Sequence, residues 1–266
     1  MEVDLFKVIG GKKGTSRLFI GGLHGKEGLS TIHAFKTIKD IDVNEGKLVL
    51  CNLPPSPYLS TLDPLYFLSL AGMKVIDIIQ KYKPGIYLEL HCYHPDKKQK
   101  LMNKDRKDIF GVPGLVELEE GVLIGSTSPL IRSTFFDLND FPFILEIPCN
   151  SPVDSLEIPS KIMKIAAQSD NRSQIMKKIR KDYPYQVERL DDYFNEFSQN
   201  FWPAFQEVKK NALEMEIKTF LDLDKLITGL VREEGFDLNP VQMKQLGQAL
   251  IVYHEYNLPN SDLGAN

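Results

Sequence analysis

Short apolar runs alternate with amphipathic stretches through about the first 150 residues, and this alternation constrains the fold more than any other feature. A helix is predicted over 29–39, and a second helix begins at Asp63, a good N-cap, and continues to about Tyr82. An order of β-α-β-α-β implies parallel strands with helices on the faces of the sheet. The sequence therefore predicts an α/β fold with a mixed, mostly parallel sheet flanked by helices. The predicted strands cover 3–9, 17–21, 47–51, 86–90, 121–125 and 142–147.

The chain changes character beyond Pro152. From about Ile158 to Tyr256 apolar residues recur at three- and four-residue spacing, which is typical of helices. We expect an α/β domain over 1–150 and a helical region over 151–258 that packs on it or forms a subdomain. Residues 259–266 have the composition of a flexible tail.

Charge and hydropathy restrict the class of partner. The 32 basic residues are outnumbered by 36 acidic ones, so the chain lacks the excess of positive charge that a general nucleic-acid binder needs. The first residues resemble no signal peptide, and no apolar run is long enough to span a bilayer. We expect a cytoplasmic protein that binds a small-molecule or peptide substrate and neither nucleic acid nor membrane.

The three cysteines, Cys51, Cys92 and Cys149, are widely separated and odd in number, unlike a disulfide scaffold. Cys92 and Cys149 lie beside candidate site residues, and roles as ligands or as a nucleophile are alternatives. The preferred interpretation is that all three are small apolar packing residues.

The segment from Gly21 to Gly28 (GGLHGKEG) carries the first chemical signal. Here a strand leads into two glycines, then His24-x-x-Glu27, then a helix. Ligand sites of open α/β sheets cluster at the carboxyl ends of strands, and an imidazole and a carboxylate are both zinc donors. The alternative is a solvent-exposed His-Glu pair in a turn.

His91 ends the predicted strand 86–90 and therefore lies at a carboxyl edge as well. Strand alternation puts Glu89 on the same face, where a carboxylate can orient a metal-bound histidine. His24, Glu27 and His91 together form a His-Glu-His set that leaves a fourth position open for water, as in catalytic zinc sites. Taken alone, a histidine at a strand end is more often structural than a metal ligand.

Glu146 interrupts the apolar strand 142–147. Burial of a carboxylate raises its pKa and suits it to proton transfer, so Glu146 is the candidate general base. The alternative is a glutamate that faces solvent from an edge strand.

In this order the motifs resemble the zinc carboxypeptidase superfamily, in particular its succinylglutamate desuccinylase and aspartoacylase branch, and an archaeal branch of the superfamily is suspected. The resemblance covers roughly residues 15 to 150. It implies a zinc carboxypeptidase-like fold, a Zn²⁺ ion on His24, Glu27 and His91, and Glu146 as the catalytic glutamate. Asn52, in LVLCNLP, occupies the place of the asparagine in the family's Asn-Pro motif.

The sequence departs from the family in its arginines. Members usually carry arginines between the first ligand pair and the third ligand, to bind a substrate carboxylate and polarise the carbonyl. This chain has none between Arg17 and Arg106. Lys74, Arg106 and Arg132 are the candidates for that charge, and Arg132, in a polar loop after a strand, is preferred as the second catalytic residue. A surface arginine beside turn residues is the alternative.

The sequence thus predicts a zinc-dependent hydrolase of an amide bond, of the deacylase, amidase or carboxypeptidase type. Deacylase or amidase action on a small molecule is favoured over peptidase action, and the same site would also support ester hydrolysis. The rival hypothesis is a non-catalytic module that keeps the fold for metal or partner binding. The missing arginines and the long helical region favour that rival.

Overall fold

A seven-stranded sheet flanked by helices forms the centre of the computed structural model, which describes residues 4–11, 13–43, 45–149, 156–214, 217 and 219–257. The strands are β1 (Leu5–Gly10), β2 (Ser16–Gly21), β3 (Lys47–Asn52), β4 (Ile86–Tyr93), β5 (Val116–Glu117), β6 (Leu123–Ser126) and β7 (Phe141–Pro148).

The strand order is β1-β3-β2-β4-β7-β6-β5. The central strands β3, β2, β4 and β7 run parallel, whereas β1 pairs with β3, β6 with β7 and β5 with β6 in the antiparallel sense. The predicted α/β class with a mixed sheet and flanking helices is confirmed. Strand β5 has two residues, too few for an alternating pattern in the sequence.

Eleven α-helices surround the sheet in the part of the chain that the structure describes. They are α1 (Gly28–Phe35), α2 (Leu70–Tyr82), α3 (Lys98–Met102), α4 (Arg106–Phe110), α5 (Pro129–Phe135), α6 (Glu157–Ala167), α7 (Arg172–Ile179), α8 (Pro184–Glu196), α9 (Trp202–Glu214), α10 (Phe220–Glu234) and α11 (Pro240–Asn257). A π-helical segment, Phe197–Phe201, connects α8 to α9.

The central strands are apolar on both faces because helices cover both. On one face, Phe19, Leu88 and Leu90 pack with residues of α1, α6 and α7. On the other face, Ile20 and Tyr87 pack with residues of α2 and α5. This sandwich fixes the positions of the strand ends, where the candidate site residues lie.

The predicted helix beginning at Asp63 is interrupted. Asp63 does cap the first turn, accepting a hydrogen bond from the Leu65 amide at 2.9 Å, but that turn is a 3-10 segment that ends at Leu68. Ser69 then adopts an extended backbone and caps α2 by accepting from the Gly72 amide at 3.0 Å. The capping serine ends one element and begins the next, so the sequence pattern alone merged the two.

The helical region packs on the sheet and also contains a core of its own. Helices α6 and α7 share the apolar cluster under β4, and α9, α10 and α11 form a separate cluster around Phe205 and Leu246. Helix α11 returns to contact α5, and Tyr256 donates a hydrogen bond to the Phe67 carbonyl. The division near residue 150 stays a prediction, because 150–155 and the predicted tail lie outside the described residues.

No helix in the described ranges combines the length and the apolar character needed to cross a membrane.

Candidate metal centre

The candidate residues meet at one edge of the sheet. His24 and Glu27 follow β2, His91 lies near the end of β4, and Glu146 lies near the end of β7. Strands β2, β4 and β7 are parallel neighbours, and their register pairs His91 with Glu146. Because carboxyl ends of adjacent parallel strands share an edge, residues far apart in the sequence come together.

The glycines after β2 direct the chain toward this edge. Gly22 has a φ of +71°, a backbone conformation that residues with a side chain rarely adopt. A Cβ atom added at this position would lie 2.3 Å from the Leu53 carbonyl oxygen. An added Cβ on Gly21 would lie 2.9 Å from Asn52 Oδ1. Asn52 donates to the Gly28 carbonyl at 3.1 Å and so connects β3 to the first turn of α1. This connection gives Asn52 a structural part at the site.

Three donor groups converge in the centre. Glu27 Oε1 lies 3.5 Å from His24 Nδ1 and 3.2 Å from His91 Nδ1. One ligand atom from each residue lies within 4.8 Å of the other two. His24 Nδ1 is buried and has no hydrogen-bond partner among the described residues. Two imidazole nitrogens and a carboxylate are a donor set for zinc, so these residues fit such an ion.

A chain of contacts holds His91 from behind. Its Nε2 lies 3.2 Å from Glu89 Oε2, and Tyr87 donates from its hydroxyl to Glu89 Oε1 at 3.0 Å. The contact between Glu89 and His91 that strand alternation suggested is therefore present. Tyr87 lies on the same face by the same alternation, although the sequence analysis did not single it out. With Nε2 engaged, Nδ1 of His91 is the atom that faces the cluster.

The two histidines differ in their protonation. Burial lowers the pKa of His24 to about 4, so its ring is neutral at pH 7. Burial also acts against the charged form of His91, but Glu27 and then Glu89 raise the pKa of His91 well above its usual value. A metal ion would take the place of the proton on His91 Nδ1, the ring nitrogen that faces Glu27.

Glu146 is half-buried beside this cluster. Burial raises its pKa to about 7, while the positive charge of His91 acts in the opposite direction. A carboxyl group with a pKa near neutrality can both accept and donate a proton, which is the property required of a general base that later acts as an acid.

A cavity of about 670 Å³ opens in front of these residues, a volume that suits a small molecule or a short peptide end. Tyr58 lines it and packs edge-on against His24 at 4.7 Å between ring centroids. The Pro-rich loop that holds Tyr58 carries no motif, so no sequence pattern indicated a role for Tyr58. Tyr93 and His94 also line the cavity, but Tyr93 donates to the Gly121 carbonyl at 2.6 Å and His94 pairs with Asp96.

The three candidates for the missing positive charge lie in different places in the structure. Arg132, the preferred one, lies in α5 and lines a different cavity. Lys74 is exposed on α2. Arg106 is half-buried, lines the same cavity as Glu146, and acts on the charge of that carboxylate. Of the three cationic candidates, Arg106 is the one that lines the cavity in front of the His24, Glu27 and His91 cluster.

Cys92 and Cys149 form a disulfide, so the interpretation of these two as unpaired packing residues was wrong. Cys92 lies in β4 and Cys149 directly follows its neighbour β7, which brings their Cα atoms to 4.9 Å although 57 positions separate them. Spacing in the sequence could not reveal this pairing. Cys51 is buried and free, as expected of a packing cysteine.

Replacing Cys92 and Cys149 together by alanine is expected to lower the free energy of unfolding by about 4 kcal/mol, because the bridge restricts a long loop of the unfolded chain. Urea titrations of the variant and the wild type measure the difference, and reduced wild-type protein should match the variant. Alkylation of the unfolded, unreduced wild type should modify Cys51 alone. Modification of all three thiols would contradict the pairing.

Comparison with known proteins identifies the family. The model of a family described as "Uncharacterized protein conserved in archaea (DUF2119)" matches residues 12–199, a span that holds the three candidate metal ligands and Glu146. The chain belongs to this archaeal family. A Methanocaldococcus jannaschii protein named "Uncharacterized protein MJ0501" is 38% identical over 200 residues, which cover 73% of this chain and 95% of that protein. No solved structure matches the chain. Helices α9 to α11 lie beyond the span that the archaeal family model matches.

Proposed function

We propose that this archaeal protein is a zinc-dependent hydrolase that cleaves an amide bond within a zinc carboxypeptidase-like α/β fold. One observation carries the proposal: His24, Glu27 and His91 converge at the same sheet edge as Glu146, in an open cavity. A structural zinc site would instead surround the ion with four protein ligands and leave no position for a substrate.

His24, Glu27 and His91 would hold the ion, which when bound lowers the pKa of a water molecule and polarises a carbonyl group. His24 is already neutral, as a ligand must be. Glu89 holds the Nε2 side of His91 and fixes the ring with Nδ1 toward the cluster. Tyr87 in turn fixes Glu89.

Glu146 moves the proton. As general base it accepts a proton from the attacking water, and as general acid it delivers that proton to the leaving amine. Its half-buried position beside the cluster and its raised pKa support both roles. Amide nitrogen leaves poorly unless it is protonated, so a group that returns the proton is essential to this reaction.

Arg106 supplies positive charge in the same cavity. It can pair with a carboxylate of the substrate or with the oxygen that becomes negative as the carbonyl is attacked. Its Nη1 donates to the Pro113 carbonyl at 3.3 Å, which fixes the guanidinium relative to β5 and β6. In this proposal Arg106 takes the role that the sequence analysis gave to Arg132.

The test is hydrolysis by the zinc-loaded full chain of a panel of N-acyl amino acids, short peptides and matched esters, followed by liquid chromatography and mass spectrometry. We expect release of a free amine from at least one N-acyl amino acid, in line with a deacylase or amidase. Cleavage of peptides alone would assign the protein to the carboxypeptidases. Zinc-loaded protein that hydrolyses no compound of the panel would contradict the catalytic proposal and favour a metal-binding module.

A further inference from the structure

A second cavity, of about 80 Å³, adjoins the cavity of the candidate metal centre, and Val112 and Ser126 line both. Helices α5, α7 and α8 and the π-helical segment enclose it. We call it the arginine cavity, after Arg132 and Arg172. π-Helical turns cost stability and occur often at functional sites, and here the segment contributes Phe197 to the wall.

Arg132 is deeply buried and forms no salt bridge within the described part of the chain. It is 4% exposed, and its Nη2 has no hydrogen-bond partner among the described residues. The guanidinium carbon lies 4.6 Å from the ring centroid of Phe197 and 5.7 Å from that of Phe194. Such cation–π contacts offset only part of the cost of removing a charge from water. A bound anion would therefore stabilise the buried charge of Arg132.

Two further polar atoms of this cavity also lack partners. Thr127 Oγ1 and Arg172 Nε are buried without a hydrogen bond among the described residues. Three of the seven such side-chain atoms in the described chain belong to residues that line this one cavity. Buried polar groups are nearly always paired, so a cluster of three unpaired donors indicates a place for a polar group of a ligand.

The charge balance of the lining indicates how much negative charge is missing. Arg172 Nη2 donates to Asp191 at 2.6 Å, and Lys107 forms an ion pair with Glu196. Arg132 is the one charged residue of the lining without a salt bridge within the described chain. Asp140 acts on it only at longer range, and burial and then Arg172 lower the pKa of Arg132 to about 10, which still leaves it charged at pH 7. A ligand with one negative charge would therefore balance the charge of Arg132.

The remaining walls are apolar and largely aromatic. Phe141 and Phe143 stack at 4.7 Å between centroids, and the guanidinium carbon of Arg172 lies 4.2 Å from the Phe194 centroid. Met176 and Leu190 complete this side. A phosphate dianion would bring excess charge to such walls. A carboxylate on a short aliphatic body matches the single charge, the planar guanidinium and the apolar lining.

We propose that the arginine cavity is a binding site for a short-chain aliphatic monocarboxylate, held by Arg132, Arg172 and Thr127. The site is separate from the metal centre, and its occupancy does not depend on the proposed hydrolysis.

The test is binding of acetate and propanoate to metal-free full-length protein, measured by isothermal titration calorimetry and ligand-observed NMR. Metal-free protein is used because a carboxylate could otherwise bind a metal ion. Saturable binding is expected for the carboxylates and not for the neutral amides acetamide and propanamide. Arg132→Met should weaken binding about 10-fold or more, because charge-assisted hydrogen bonds are lost. His24→Ala, which changes the other cavity, should leave the affinity unchanged.

The melting temperature of Arg132→Met separates ligand recognition from a structural role. Methionine fills the space between the phenylalanine rings without a charge, so the ligand-free variant should melt at the same temperature as the wild type or higher. Propanoate should raise the melting temperature of the wild type and not of the variant. The proposal is overturned by a lower melting temperature of the variant, equal binding of the amides, binding of inorganic phosphate alone, or no saturable binding.

Discussion

Glu146→Gln is expected to lower the turnover number for amide hydrolysis by about 10³-fold, because the amide cannot accept the proton that the attacking water must release. Glutamine has nearly the shape of glutamate and keeps the packing of β7. Since Glu146 lies outside the His24, Glu27 and His91 cluster, the variant should bind zinc with the affinity of the wild type. Steady-state kinetics on a cleaved substrate and metal titration measure the two quantities.

Asp96→Asn is the matched control for Glu146→Gln. It removes an exposed carboxylate between two residues that line the same cavity, His94 and Lys97, and should leave turnover unchanged. Loss of zinc from Glu146→Gln would make Glu146 a ligand or a structural group. Full activity of Glu146→Gln would remove it from the mechanism.

His24→Ala is expected to raise the dissociation constant for zinc by more than about 100-fold. Changes to the outer partners of metal ligands typically cost 10- to 100-fold in affinity, and loss of a ligand should cost more. His24 is the better choice for a single variant, because His91→Ala would also leave Glu27 and Glu89 without their buried partner. Competition with a fluorescent zinc chelator measures the constant.

His94→Ala is the control for His24→Ala. His94 lines the same cavity but pairs with Asp96 at the exposed rim, outside the donor cluster, so zinc affinity should be retained. Circular dichroism establishes that both variants are folded. Equal zinc affinity of His24→Ala and wild type would mean that the ion binds elsewhere or with other ligands.

The sheet and the candidate site residues could be predicted from the sequence because both follow from local patterns. Apolar runs defined the central strands, and a strand end fixes the edge on which a following residue lies. His24, Glu27, His91 and Glu146 each lie at or near the end of such a run, so the rule for parallel strands placed them on one edge of the sheet. The strand order that makes β2, β4 and β7 neighbours came only from the structure. Glu89 followed from alternation along β4.

What the sequence could not give depends on contacts between distant segments. The pairing of Cys92 with Cys149 requires knowledge that β4 and β7 are neighbours. The position of Arg132 depends on how α5 packs against α11, and on the contact of its guanidinium with Phe194 of α8 in the arginine cavity. The interruption between the 3-10 segment and α2 depends on the extended backbone of Ser69. A spacing of apolar residues by three to four positions does not indicate the conformation of one residue.

The proposed zinc site can be tested by the metal content of the protein, purified without chelators and measured by inductively coupled plasma mass spectrometry. About one zinc per chain is expected, and none in a His24→Ala, His91→Ala double variant that remains folded. Wild-type protein that holds no zinc, even after incubation with zinc and removal of the excess, would contradict the zinc hydrolase. A double variant that keeps its zinc would contradict the site.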